Sequence, residues 1–149
     1  MKTIILDSTT KTLEAKLSAA ATTTNPDFVV SWADNNGTSF VEGSSDGALN
    51  NGTAVTLVSA PASSTRRIIK SLSIQNKDTA AVTVILQYND NSTIRQIAKM
   101  TLQVNDTLTL DGAIDSTGSV KTALGGTINL ASQVSGVLAP ANGGSGVAN

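Results

Sequence analysis

Hydrophobic residues along this chain recur at every second position, not at every third or fourth. In Ala81–Tyr88, the residues Val82, Val84, Leu86 and Tyr88 alternate with Thr83, Ile85 and Gln87. In Thr93–Val104, one parity holds Ile94, Gln96, Ala98, Met100, Leu102 and Val104. The other holds Arg95, Ile97, Lys99, Thr101 and Gln103. A period of two sends successive side chains to opposite faces of a strand, one toward a core and one toward water or a neighbour. Asn89-Asp90-Asn91-Ser92 between these runs has turn chemistry, so the two form a hairpin. Arg66–Gln75 repeats the pattern with Ile68, Leu72 and Ile74, although Lys70 falls on the same parity and interrupts the apolar face. Phe28, Val30 and Trp32 alternate ahead of Asp34-Asn35-Asn36-Gly37, and Thr38–Glu42 returns. Asn-Gly predicts a hairpin there, because both residues tolerate positive φ.

Further strands are predicted at Thr3–Leu6, Leu13–Leu17, Ala54–Val58 and Thr107–Leu110. Leu13, Leu17 and Ala20 would also fit one face of a helix over Thr10–Ala20; a strand is the preferred reading. About nine short strands at regular spacing predict an all-β fold, an antiparallel β-sandwich or a jelly-roll-like barrel, over residues 1–111. Residues 112–149 form an extended Gly-rich C-terminal tail. From residue 116 onward there is one charge, Lys121, and no aromatic residue, yet Ile128, Leu130, Val134, Val137 and Leu138 are spread through it. A solvated linker needs no such aliphatics, whereas a segment lying along another subunit does. Asn142, Gly143, Gly144 and Gly146 join these five as candidate assembly residues. The glycines let the chain turn tightly or pass close to symmetry mates.

Composition narrows the chemistry. A core of about 110 residues folds without staples, and with no cysteine there is neither a disulfide framework nor a thiolate. Ten Lys and Arg against eleven Asp and Glu give a net charge of −1. That provides no general attraction to nucleic acid or to an anionic membrane. No apolar run approaches the ~20 residues of a membrane span, and Ile4-Ile5-Leu6 before Asp7 is too short for a signal-peptide core. Only 14% of residues are charged, well below the usual quarter or so, and Thr, Ser and Asn fill the gap. Such a surface suits packing against copies of itself, because ordering Ser and Thr costs less side-chain entropy than ordering Lys or Glu.

The absence of histidine removes the commonest general base and metal ligand, and a Ser-His-Asp or Cys-His arrangement cannot be built. Glu14, Glu42 and nine aspartates could in principle pair for glycoside hydrolysis, but the aspartates sit mostly in turn contexts, such as Asp34, Asp46, Asp90 and Asp106, where Asp caps its own backbone. No catalysis and no cofactor are expected. Asn89-Asp90-Asn91 and Asp34-Asn35-Asn36 lack the spacing and terminal Glu of a calcium loop and read as turns. Gly143-Gly144-Ser145-Gly146 lacks the lysine and following helix of a phosphate-binding loop. The one basic cluster is Arg66, Arg67 and Lys70, with Arg95 and Lys99 as candidates to join it across the sheet. It reads as a docking patch for an acidic surface on a capsid protein or for a phosphate or, more plainly, as a strand face whose charges discourage edge pairing. The aromatics Phe28, Trp32, Phe40 and Tyr88 do not interleave with these cations, so no base-stacking platform is expected.

The end of the chain, Ser135-Gly136-Val137-Leu138-Ala139-Pro140-Ala141-Asn142-Gly143-Gly144-Ser145-Gly146-Val147, resembles a segment that recurs in bacteriophage tail fibres and related virion appendages. That segment reads Ser-Gly-x-Leu, a small residue or Pro, then Ala-Asn-Gly-Gly and Thr or Ser before Gly. In those proteins it strings compact trimeric modules together. The opening Met1–Glu14 and the stretch Asn50–Arg67 resemble the β-domains of small phage structural proteins. The resemblance implies a virion structural protein, assembled in the host cytoplasm, with no active site. It implies a homotrimer whose partners are other virion proteins, such as the major capsid protein or tail proteins. Two placements follow. A trimeric decoration or cement protein stabilising the head suits the short length and compact domain and is the leading expectation. A tail-fibre or appendage-base module joining the tail machine suits the terminal segment. Outside the virion, a carbohydrate-binding β-sandwich would use Trp32, Phe40 and Tyr88 to stack a sugar ring.

Overall fold

The alternating runs form strands. A computed structural model describes residues 3–114, 116, 118 and 120–121; the candidate assembly residues from Ile128 to Gly146 lie outside the described residues. In chain order the strands are β1 (Ile4–Leu6), β2 (Lys11–Leu17), β3 (Asp27–Asn35), β4 (Phe40–Ala48), β5 (Val55–Val58) and β6 (Arg66–Gln75). There follow β7 (Val82–Asp90), β8 (Thr93–Leu102), β9 (Thr107–Thr109), β10 (Gly112–Ile114) and β11 (Val120–Lys121). The stretch that also fitted a helix is strand β2.

Two antiparallel sheets pack face to face, so the molecule is a β-sandwich. One sheet runs β11-β10-β9-β6-β3-β4, and the other runs β5-β2-β7-β8. β3 takes one flank of β6 along its length. On the other flank β1 pairs with the first half of β6 (Ile4 opposite Ile69) and β9 with the last part (Ile74 opposite Leu108). The first sheet continues past Leu110 into β10 and β11, which pair in sequence outward from β9.

Between the sheets, Leu6, Leu13, Leu17, Val30, Leu57, Ile74, Val84 and Leu102 are almost wholly buried. Both sheets contribute, as inward-facing alternation requires. Opposite the aromatic residues of β3 the edge strand β4 carries glycine. A Cβ on Gly43 would lie 2.9 Å from the Trp32 indole, and one on Gly47 would lie 3.1 Å from the Phe28 ring. The rings fill the space that β4 side chains would otherwise occupy.

β-Bulges explain where the faces depart from strict alternation. β3 and β6 slip register so that Ser31 faces Ser71 while Trp32 faces Ile69, which leaves Lys70 as the extra residue. An inserted residue reverses the parity of the rest of the strand. Ile69, not Ile68, is therefore buried with Leu72 and Ile74, while Ile68 is half-buried and Lys70 exposed. A second bulge leaves Ile97 extra on β8, since Leu86 faces Ala98 but Gln87 faces Gln96. The parity of β8 reverses at that point, so Ile94, expected on the core face, pairs with Asn89 on the other face and is 49% exposed.

Both predicted hairpins form. β7 and β8 join through Asn91 and Ser92, both at positive φ, the backbone that matches strand twist in a two-residue loop. β3 and β4 join through Asn36–Ser39. There Asn36 Oδ1 accepts from the amides of Thr38 and Ser39 at 2.9 and 2.8 Å, and Gly37 has φ +87°. Asp34, Asp46 and Asp90, read as turn residues, lie inside strands β3, β4 and β7.

Candidate interaction surface

At one end of the sandwich, loops from three parts of the chain converge on buried polar groups. The Asn76 amide nitrogen donates to the carbonyls of Ala80, Leu102 and Gln103 at 2.9–3.1 Å, and Asn76 Oδ1 accepts from the Asp78 amide at 2.9 Å. Asp78, 1% exposed, accepts from the amides of Thr22, Thr23 and Thr79 at 2.6–2.8 Å and from the Thr23 hydroxyl at 2.7 Å. Burial alone would raise the Asp78 pKa. The hydrogen bonds from Thr22, Thr23 and Thr79 outweigh it and hold the carboxyl well below the usual carboxylate range. Asp106 Oδ2 accepts from the Gln103 amide at 2.6 Å. These bonds tie the loops at 22–23, 76–80 and 103–106 to one another.

A second polar cluster sits on β2, on the parity opposite Leu13, Ala15 and Leu17. Glu14 is 7% exposed. Its Oε1 accepts from Asn89 Nδ2 at 2.8 Å and from the Thr12 hydroxyl at 3.1 Å, and its Oε2 from Gln87 Nε2 at 3.1 Å. Both carboxylate oxygens are engaged. Gln87 and Asn89 share this face because the β7 register sets Gln87 opposite Glu14. The signal available in the sequence was a carboxylate inside a strand and two amides of one parity in another.

The basic residues separate. Arg67 points into the end of the sandwich: Nε and Nη2 donate to the two Asp34 carboxylate oxygens, each at 2.7 Å, and Nη1 to the Ser59 carbonyl at 2.9 Å. Its guanidinium carbon lies 4.9 Å from the centre of the Trp32 ring, a cation–π arrangement. The Arg67 hydrogen bonds lower the Asp34 pKa against the opposing effect of burial. Arg66 is exposed, and the exposed Lys70 ammonium pairs with Glu42 of β4. Arg95 and Lys99, expected to join this cluster across the sheet, are on β8 in the other sheet. The five cations therefore do not share one sheet face.

The aromatic residues separate as well. Trp32 borders a depression of about 380 Å³ with Ser31, Glu42, Gly43, Ser44 and Lys70, whose lining includes neither Phe40 nor Tyr88. Phe40 is 59% exposed at the start of the edge strand β4. Tyr88, on the second sheet, donates its hydroxyl to the Ile5 carbonyl at 3.1 Å. Among the described residues no group of three or more carboxylates is placed to hold a metal ion.

One recess is apolar. It lies where the second sheet ends at β8 and the first continues into β10, and it is lined chiefly by Leu86, Ile97, Met100, Leu108 and Leu110, with Gly112 at its rim. Its volume is about 110 Å³, below the ~300–1,000 Å³ of small-molecule sites. No family model, curated protein or solved structure matches the chain.

Proposed function

We propose that this chain is a structural protein of a bacteriophage virion, a homotrimeric decoration protein that stabilises the head. The observation that carries the reading is the resemblance of Ser135–Val147 to the connecting segment of phage fibres and appendages. The fold is compatible with it. A β-sandwich fastened by buried hydrogen bonds, with a hydroxyl-rich exterior, is a rigid block suited to repetition in a lattice. The polar clusters are consumed internally, which favours a structural role over a chemical one.

In this reading the sandwich domain sits on the capsid, and the tails reach neighbouring chains. The partners are the protein itself, the major capsid protein or tail proteins. A second reading, a tail-fibre or appendage-base module, is favoured by the terminal segment taken alone. Immunogold labelling of purified virions with antibodies against the recombinant protein separates the two. Label over the head is expected; label confined to the tail would move the protein to the appendage. Virions without label would overturn both.

A further inference from the structure

The tetrapeptide Asn-Asn-Gly-Thr occurs twice in the described domain, at residues 35–38 and 50–53. An Asn-Gly pair carries chemistry of its own: the glycine amide nitrogen can attack the asparagine side-chain carbon, and glycine has no Cβ to hinder the approach. The two copies are folded differently. In the β3–β4 hairpin, Asn36 and Gly37 are exposed. The Asn36 side chain is folded over the peptide that follows it. Its Oδ1 accepts from the amides of Thr38 and Ser39 at 2.9 and 2.8 Å and from the Ser39 hydroxyl at 3.2 Å. In the turn between β4 and β5, Asn51 is half-buried at φ +49°. Its side chain is turned onto another loop, where Oδ1 accepts from the Ala21 amide at 2.9 Å. Its backbone is held on both sides. The Asn51 amide donates to Asn25 Oδ1 at 2.9 Å, and its carbonyl accepts from the Leu17 amide at 2.7 Å.

We propose that Asn36 is a site of spontaneous covalent modification, converting to aspartate and isoaspartate through a ring closed by Gly37, and that Asn51 is protected by its fold. Hydroxide takes the proton of the Gly37 amide, and the freed electron pair forms a bond to Asn36 Cγ. The charge passes to Oδ1, at which two amides and a hydroxyl already point, the arrangement that stabilises a tetrahedral oxyanion. As the carbonyl re-forms, the Cγ–Nδ2 bond breaks, and the nitrogen leaves as ammonia with a proton from water. Water then opens the five-membered ring. Opening at Cγ gives aspartate; opening at the Asn36 backbone carbonyl carbon gives isoaspartate. In sum, one side-chain amide and one water become a carboxylic acid and ammonia. The Gly37 N–H donates to Asn35 Oδ1 at 2.8 Å. Both residues are exposed, so solvent reaches that proton without a disturbance of the core. At Asn51 the side chain would have to leave Ala21, and the backbone would have to turn against its bonds to Asn25 and Leu17. Either product adds a negative charge to a chain whose net charge is −1, and isoaspartate also lengthens the backbone of the hairpin. The β3–β4 hairpin thus changes once and irreversibly with age, whether or not the protein is part of a virion.

The repeated tetrapeptide provides its own control. Full-length protein is aged at mildly alkaline pH in buffer and in concentrated urea, and peptide mapping by mass spectrometry follows the amide-to-acid mass change at each pair. In buffer Asn36 should convert about tenfold faster than Asn51 or more, because Asn51 reacts only after a local opening of its turn. In urea the two rates should converge, since the tetrapeptides are identical. The Asn36 product should be a mixture of aspartate and isoaspartate, separable by chromatography. Equal rates in buffer, or faster conversion at Asn51, would overturn the proposal. So would an Asn36 that converts only in urea, which would mean that the hairpin protects it. Aspartate without isoaspartate would mean direct hydrolysis by water and would remove Gly37 from the reaction.

Discussion

Gly43 and Trp32 illustrate how a single side chain decides a local arrangement. With a Cβ placed 2.9 Å from the indole, Gly43→Ala forces the ring to move. The ring is held from its other neighbour by the Arg67 guanidinium, itself fixed on Asp34. Overpacking of this kind costs about 1–3 kcal/mol, and urea denaturation of Gly43→Ala should show a lower midpoint with an unchanged slope. The sequence held little sign of this, since a glycine in a Ser-rich strand looks like any loop residue. Asp34 and Asp78 give the pH dependence. Hydrogen bonds from Arg67 lower the first, and amides of the threonine loops lower the second despite its burial. A carboxyl whose folded pKa lies below its unfolded value of about 3.9 contributes stability above that value, and the contribution is lost as pH falls toward the folded pKa. The melting temperature should therefore hold between pH 5 and 7, as order-of-magnitude limits around that ~3.9, and fall below about pH 4. Asp78→Asn should melt earlier at neutral pH and show a shallower acid decline. Parallel acid declines in the two proteins would assign the effect elsewhere.

At the scale of the strand, alternation located the elements well and the faces only in part. Both hairpins, the core placement of Val82, Val84, Leu86 and Leu102, and the all-β class were legible because period two and Asn-rich turns are local signals. The bulges were not legible. Lys70 interrupted the apolar parity of β6 in the sequence, yet only pairing with β3 shows that it is an inserted residue, after which Ile69 replaces Ile68 in the core. Ile94 was misplaced for a similar reason, being 49% exposed beyond the bulge at Ile97. β8 thus offers an internal comparison. Leu102→Ala, at a fully buried position, should cost about 2–5 kcal/mol. Ile94→Thr, in the same strand and on the parity first assigned to the core, should stay within roughly 0.5 kcal/mol of the parent. Val84→Asp should not fold, because an unpaired buried carboxylate costs more than a cavity. Chemical denaturation of the three variants checks the set, and similar losses at 94 and 102 would mean that the bulge is wrongly placed.

For the whole molecule, the balance between burial and ordering sets what association can achieve. Of the exposed large hydrophobic residues of the described domain, Ile5, Val29, Phe40 and Val41 are on the first sheet, Ile94 is on the second and Val104 is in the turn between β8 and β9; only Phe40 and Val41 are adjacent in sequence. The proposed homotrimer must therefore draw mainly on the tails. Val134, Val137 and Leu138 supply about 1.5–3 kcal/mol each if fully buried against a neighbour. Against this stand about 4–15 kcal/mol of lost translational and rotational freedom and about 1–2 kcal/mol for each backbone residue that becomes ordered. On these terms the three side chains alone do not hold a trimer; the tails must also gain backbone hydrogen bonds, as by adding a strand to a neighbour's sheet edge, so the isolated trimer should be weak and a capsid lattice should strengthen it by presenting three sites at fixed spacing. Light scattering over a dilution series should show the monomer at low micromolar concentration and rise toward three times its mass at high micromolar concentration. If the tails hold the proposed trimer, Leu138→Asp should hold the protein monomeric throughout while leaving its melting temperature unchanged. A parent protein that stays monomeric at high micromolar concentration would remove trimerisation as an intrinsic property, and recovery of the trimer only on added capsid would assign it to the lattice.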